Sequence, residues 1–343
     1  MRISLYEDSI PYDSEVARSR PLGGVAKAVV GLAEELARAG HDVSVFNRLR
    51  HARVSEGVAW RPLDGDEEAA GADLAIAVGR SALLDRTEAA SRRALWVTGS
   101  AGHLSRRMVR ERLERWRPVL AFLGDVQMRQ WSREPDLPAC CIRPGVAAPY
   151  LYDVPIVPMA PAQAIATAHP TGGLLGLVGL WRERIRPNLE HARLTIYSAQ
   201  LAAGAEGGRV TDEVAPVLAA AMEARDSDVV IAAPKPDEDM AFAYRDCRVH
   251  LHPAAGRSAF PFTLLESQAC GLPAVARRGS AADDAVVDGV TGYLAPDDEA
   301  FANLAVLLLD DDKAFEALSV RAREHGRVRR WSEAVRAVEA LAP

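Results

Sequence analysis

The chain has 343 residues, 49% hydrophobic and 26% charged, with a formal net charge of −6. That length is comfortable for two domains with full cores, and the acidic balance argues against a general nucleic-acid binder, which would need a basic face. Its four cysteines, Cys140, Cys141, Cys247 and Cys270, show no Cys-x-x-Cys pair and no clustering with histidine, so they read as reduced, buried small residues and no metal site is expected. No basic-then-apolar leader precedes the first strand, and no apolar run approaches the roughly 18 residues that span a bilayer. A cytoplasmic protein is the expectation.

Strand and helix signals alternate along the chain, as βαβ units require. Arg2 to Tyr6 reads as a strand, Val25 to Ala39 as a helix with its apolar stripe at Val25, Val29, Leu32, Ala33 and Leu36, and Asp42 to Phe46 as the next strand. Further buried strands are expected at 74–78, 94–97 and 119–123, with helices around 105–117 and 126–133. Pro144 to Pro161 is proline-rich and aperiodic, which marks an interdomain linker, with Pro155 and Pro158 as the points about which the domains would move. A second α/β domain then follows: strands at 163–167, 193–197, 229–232, 249–252 and 274–276, a helix at 173–186, and terminal helices at 300–309, 313–325 and 331–341. Domain limits of 1–150, 151–327 and 328–343 follow from this pattern, the last being a helix.

The densest signal is FPFTLLESQACGLPAVARRGS, Phe260 to Ser280, followed by DGVTGYLAP. It reads as loop, short helix, glycine stop, short buried strand and glycine-punctuated turn, the build of a ligand-facing edge in a doubly wound α/β domain. His252 to Pro296 resembles the donor-binding segment of glycosyltransferase family 4, whose pattern is Glu-x-Phe-Gly-x-x-x-Leu-Glu, a small-residue helix, Gly-x-Pro-x-Val and Asp-Gly-x-Thr-Gly. Phe260, Leu265, Glu266, Gly271, Pro273, Val275, Asp288, Gly289, Thr291 and Gly292 match in order. Leu22 to Phe46 similarly resembles the family's first loop, first helix and second strand. The resemblance implies the GT-B fold, two Rossmann-like doubly wound α/β domains facing a cleft, with the last helix returning to the first domain and Trp331 anchoring it. It also implies a retaining, metal-independent glycosyltransferase with no cofactor beyond a nucleotide-sugar donor, acting on a carbohydrate, lipid-linked or small-molecule acceptor.

Candidate site residues divide between the two domains. Gly23 and Gly24 open the first long helix, where small residues and free amides admit an anionic group; a plain tight turn is the alternative. No G-x-G-x-x-G is present, so a dinucleotide site lacks its fingerprint. Glu266 either closes a capping box with Thr263 or, as the resemblance implies, accepts hydrogen bonds from the two ribose hydroxyls. Phe262 belongs to the same substrate-facing set. Ser258 replaces the family's donor-contacting glutamate, Pro261 its glycine, and Gly172 its usual lysine. These departures motivate a rival reading, a catalytically degenerate GT-B protein acting as a binding or partner subunit. The pyrophosphate would then fall to Lys235, Arg257, Arg277 or Arg278. His103 matches loosely a family histidine facing the donor sugar and is the catalytic candidate, against the alternative of an exposed loop histidine. Arg106, Arg107, Arg110, Arg112, Arg115 and Arg117 form either a solvated, salt-bridged helix face or a patch for an anionic acceptor or lipid surface.

Overall fold

The computed structural model describes residues 1–64, 71–154, 156, 160–256 and 259–341. The chain divides into two compact units, Met1–Gly145 with Arg329–Pro343, and Val146–Val328. Each carries its own sheet.

The first unit holds strands β1 (Arg2–Tyr6), β2 (Asp42–Asn47), β3 (Arg53–Ser55), β4 (Val58–Pro62), β5 (Leu74–Val78), β6 (Arg92–Val97), β7 (Val119–Phe122) and β8 (Ala139–Cys141). They lie in the order β3-β4-β2-β1-β5-β6-β7-β8, parallel throughout except for the β3–β4 pair. Its helices are α1 (Ser14–Ser19), α2 (Gly24–Arg38), α3 (Arg107–Trp116) and α4 (Asp125–Arg129). β5 is buried along its whole length, which is why LAIAV reads as a continuous apolar run. β3, β4 and β8 escape the sequence reading because they are short and partly exposed, with little apolar periodicity.

The second unit holds helix α5 (Ala148–Leu151) and strands β9 (Ala162–Ala166), β10 (Ala192–Tyr197), β11 (Val229–Ala232), β12 (Val249–His252), β13 (Ala274–Arg277) and β14 (Gly292–Ala295). Their order, β11-β10-β9-β12-β13-β14, is parallel throughout. Numbered from β9, this is the 3-2-1-4-5-6 order of a dinucleotide-binding sheet. Helices α6 (Leu175–Leu180), α7 (Ala199–Ala205), α8 (Ala215–Glu223), α9 (Asp237–Arg245), α10 (Phe262–Ala269), α11 (Asp298–Asp310) and α12 (Asp312–Arg327) cover it. Trp181, Leu194, Leu251 and Phe301 anchor the core between the sheet and its helices, and the buried Trp181 indole donates to the Ser227 carbonyl at 2.8 Å.

The expected helix over 173–186 is a regular α-helix only over Leu175–Leu180, and Trp181–Ile185 continues it as a π-helical turn. Gly173 takes φ +92° where its Cα faces the Pro253 carbonyl, and a Cβ there would meet that oxygen at 2.8 Å. Likewise α4 stops at Arg129, and Arg133 has φ +60°, so the helix read over 126–133 is shorter.

The final helix, α13 (Trp331–Glu339), groups with the first unit and packs on α2. The Trp331 indole lies against Gly31 and Gly145, where a Cβ would meet its atoms at 2.4 Å and 2.7 Å respectively. The linker residues Pro155 and Pro158 lie outside the described residues.

Candidate functional site

In the second unit the strand order reverses between β9 and β12, and an open α/β sheet binds ligands beyond the carboxyl ends of its strands at such a point. Three segments meet there. Thr167 follows β9, His252 ends β12, and α10 begins at Phe262. α10 stops where expected, at Cys270 and at Gly271 with φ +94°.

Its start differs from the capping-box expectation. Pro261 is the N-cap, and no side chain among the described residues caps the helix. Thr263 lies inside the first turn, two positions past the N-cap, and its hydroxyl meets Thr167 Oγ1 at 2.7 Å. Backbone carbonyls take two of the first-turn amides, Phe262 N–H donating to Phe260 at 3.1 Å and Leu264 N–H to Pro261 at 3.0 Å, and the positive end of the helix dipole still favours an anion at this end.

Glu266 is buried, and its carboxylate is held from behind. The hydroxyl of the fully buried Tyr244 approaches Glu266 Oε2 at 3.5 Å, while Tyr150 donates to Asp237 at 2.8 Å. The two tyrosine rings pack with centroids 5.9 Å apart. Burial first, and the Glu266 charge second, push both phenols well above their ordinary value, so they act only as neutral donors. A carboxylate fixed in this way one turn into the helix can accept two hydrogen bonds from a vicinal diol.

Beneath Thr263 runs a file of short hydrogen bonds. Thr167 Oγ1 lies 3.0 Å from His250 Nε2, His250 Nδ1 lies 2.8 Å from Ser267 Oγ, and Ser267 Oγ reaches the Leu264 carbonyl at 3.3 Å. Burial, with His252 adding repulsion, lowers the His250 pKa to about 3, and burial lowers that of His252 to about 4. Both rings are neutral. Neither ring nitrogen of His252 finds a hydrogen-bond partner among the described residues.

The sequence reading passed over Tyr150, Tyr244, Thr167 and His250. A usable signal stood in VHLHP: two histidines two residues apart in an otherwise apolar strand share one face, and a buried imidazole there requires polar partners.

Phe262 pairs its ring edge-on with Phe260 at 5.1 Å and remains half-buried. Ser258 and Arg257 lie outside the described residues. Of the other cations named for a pyrophosphate, two are committed elsewhere. Arg277 pairs with Asp298 and lies over the Phe301 ring, and Arg278 pairs with Asp288 and the Leu294 carbonyl. Lys235 lines a small polar cavity of about 160 Å³ with Tyr197, Asp239 and Asp246, under α9. The Asp-Gly-x-Thr-Gly turn is internally bonded too: Asp288 Oδ1 accepts from the Leu294 amide at 2.9 Å, and Thr291 Oγ1 from the Val287 amide at 2.9 Å.

The first unit reverses strand order between β1 and β5. Gly23 is the N-cap of α2, extended at φ −67°, and a Cβ there would meet nothing within 4 Å. Gly24 is the first helical residue. Glu7, which follows β1, is buried; its Oε1 accepts from the Ser9 amide at 3.0 Å, and its Oε2 has no hydrogen-bond partner among the described residues. Burial and the Glu7 charge raise the pKa of the neighbouring Tyr12 phenol. His103 sits in a short 3-10 turn after β6, not on an exposed loop tip. Its Nδ1 contacts the Ser100 carbonyl at 2.5 Å, and its buried Nε2 has no hydrogen-bond partner among the described residues. Thr263, Glu266 and Phe262 thus share one helix start, whereas Gly23, Gly24 and His103 belong to the other unit.

The α3 arginines are largely paired. Arg107 meets Glu111 at 2.9 Å, Arg110 meets Glu114 at 3.5 Å, Arg112 meets Asp85 at 3.5 Å, and Arg115 lies over the Trp116 ring. No helix among the described residues is long and apolar enough to cross a membrane.

Known proteins bear on this geometry in two ways. Residues 173–311, which contain α10 and the sheet edge around it, match the family model "Glycosyl transferases group 1". D-inositol 3-phosphate glycosyltransferase of Corynebacterium diphtheriae is 34% identical over 110 residues, 32% of this chain and 26% of the relative. The aligned stretch thus spans about a quarter of that relative's length. Sucrose-phosphate synthase of Thermosynechococcus elongatus superposes over 99% of this chain and 98% of its own, with a TM-score of 0.76 at 15% identity. The fold is GT-B. HepE of Anabaena, solved with UDP and glucose, covers 98% of each chain at a TM-score of 0.69 and 14% identity. A GT-B protein with Glu266 on a buried helix start places its most distinctive side chains in the segment that the family model matches.

Proposed function

We propose that the chain is a glycosyltransferase that moves a sugar from a nucleotide-activated donor to a hydroxyl-bearing acceptor, with retention at the anomeric carbon and without a bound metal. The observation that carries this reading is Glu266: a buried carboxylate on α10, beside an uncapped helix start at the switch point, inside the region that matches a glycosyltransferase family model. The curated relative and the GT-B neighbours support transfer of a sugar. Retention and metal independence are supported by the resemblance of His252 to Pro296 to family 4 alone.

In this reading Glu266 accepts hydrogen bonds from the ribose hydroxyls, and the start of α10 faces the diphosphate. Helix amides and hydroxyls neutralise the leaving group, which is electrostatic stabilisation placed where charge develops. The acceptor would belong to the first unit, whose Gly23–Gly24 turn and Glu7 line its own switch point. UDP-sugars are the first donors to test, because a structural neighbour binds UDP.

A panel of UDP-, GDP-, ADP-, dTDP- and CMP-sugars, followed by thermal shift, tests donor recognition. A ligand at a hundred times its dissociation constant adds about 2.7 kcal/mol of stability. One nucleotide class should raise the melting temperature and the others leave it unchanged; no shift with any of them contradicts the reading.

A further inference from the structure

The hydrogen-bond file under α10 can carry its protons in two directions, and the two leave Thr263 in opposite states. Pointing inward, Thr263 donates to Thr167, Thr167 to His250 Nε2, His250 Nδ1–H to Ser267, and Ser267 to the Leu264 carbonyl. Pointing outward, His250 Nε2–H donates to Thr167, Thr167 donates to Thr263, and the Thr263 proton is free for a group beyond the helix start. Ser267 then donates to His250 Nδ1. The Leu264 carbonyl loses little, because the Gln268 side-chain amide already donates to it at 3.0 Å.

Both states hold the same four protons; the ring trades Nδ1–H for Nε2–H and three hydroxyls rotate. The inward state makes four bonds within the protein, while the outward state makes three and offers the fourth to a ligand. Each hydroxyl has one proton to donate, so the tautomer of His250 sets whether Thr167 offers Thr263 lone pairs, which draw its proton inward, or a proton, which leaves the Thr263 proton for a ligand. An anion at an uncapped helix start repels lone pairs and attracts a donor.

We propose that His250 is a positioning residue: docking of an anionic group at the start of α10 switches its ring from the Nδ1–H to the Nε2–H tautomer, so that Thr263 donates to that group. The inference rests on the nucleotide-binding reading of this edge. His250 touches no ligand itself. Its buried aromatic neighbours, Tyr244 stacked at 5.9 Å and His252 at 6.5 Å, are neutral, so neither supplies a charge that would fix its tautomer.

Long-range proton–nitrogen correlation spectra of the 15N-histidine protein, with His250 assigned through His250→Asn, read the tautomer directly. The free protein should show Nδ1–H, the UDP complex Nε2–H, and the uridine complex Nδ1–H again. One tautomer throughout, with UDP bound, overturns the proposal while leaving the nucleotide reading intact. If UDP and every other nucleoside diphosphate fail to bind, both fall. As a second measurement, Thr167→Val removes the hydroxyl that links His250 to Thr263; the change of tautomer on UDP binding should vanish in it. A change that persists in Thr167→Val would mean that the file does not carry the switch and overturns the proposal.

Discussion

The decisive side chain is Glu266, and the physics of its surroundings yields two substitutions with separable effects. Glu266→Gln keeps the shape and removes the charge, so it should lower nucleotide affinity by roughly ten- to a hundredfold, the worth of hydrogen bonds to a charged acceptor. Calorimetric titration decides it; unchanged affinity would leave Glu266 with no part in binding. Tyr244→Phe removes a neutral donor 3.5 Å from Glu266 Oε2 and leaves the aromatic packing with Tyr150 and His250. It should cost no more than about 1 kcal/mol of stability, because the contact is long for a hydrogen bond. It should also blunt any preference for UDP over 2′-deoxy-UDP; a preserved preference would show that the phenol does not position the carboxylate.

At the scale of elements, the site depends on how closely α12 lies on α10. Gly326 of α12 is buried against the backbone of Ala269, where a Cβ would meet Cα and N at 2.5 Å. Gly326→Ala therefore forces the two helices apart. Overpacking of this kind costs about 1–3 kcal/mol, and because α10 carries Glu266 and Thr263, nucleotide affinity should fall with it. Glu324→Ala, on the exposed face of the same helix, is the control and should change neither quantity. If denaturant titration shows Gly326→Ala to be as stable as the control, the close approach is not rigid.

Elements with strong apolar runs were legible from the sequence: β1, β2, β5 and the 13-residue helix α11 fall within a few residues of the expected limits. Legibility failed where tertiary contacts overrode local pattern. The Thr263…Glu266 spacing fits a capping box, yet the chain enters α10 through Pro261, and Thr167, 96 residues earlier, captures the Thr263 hydroxyl. Arg277 and Arg278 looked free as sequence, yet their partners Asp298 and Asp288 lie 21 and 10 residues on. Glu266 was visible as a motif position. What holds it, Tyr244, was not, because a tyrosine 22 residues away announces no role until the fold brings the two together.

For the whole molecule, the buried histidines set an acid limit. His250 and His252 have native pKa values of about 3 and about 4 against an ordinary 6.5. Below pH 6.5 the unfolded chain takes up protons that the folded chain refuses, so the unfolded state gains and stability falls with pH. The loss approaches about 1.4 kcal/mol per pH unit for each histidine, down to the native values. Unfolding free energies measured in denaturant at pH 7, 6 and 5 should decline, and the slope should be shallower in His250→Asn. An identical slope in that variant would mean that His250 takes up its proton in the folded state.

The central claim is that this GT-B chain transfers a sugar from a nucleotide donor bound at α10. Release of nucleoside diphosphate, followed in single turnover with the donor that stabilises the protein and a panel of hydroxyl-bearing acceptors, tests it most directly. The account predicts release that requires an acceptor, yields one glycosylated product per nucleotide with the donor's anomeric configuration, persists in EDTA, and collapses in Glu266→Gln. Tight donor binding with no nucleotide released in any acceptor mixture would contradict it.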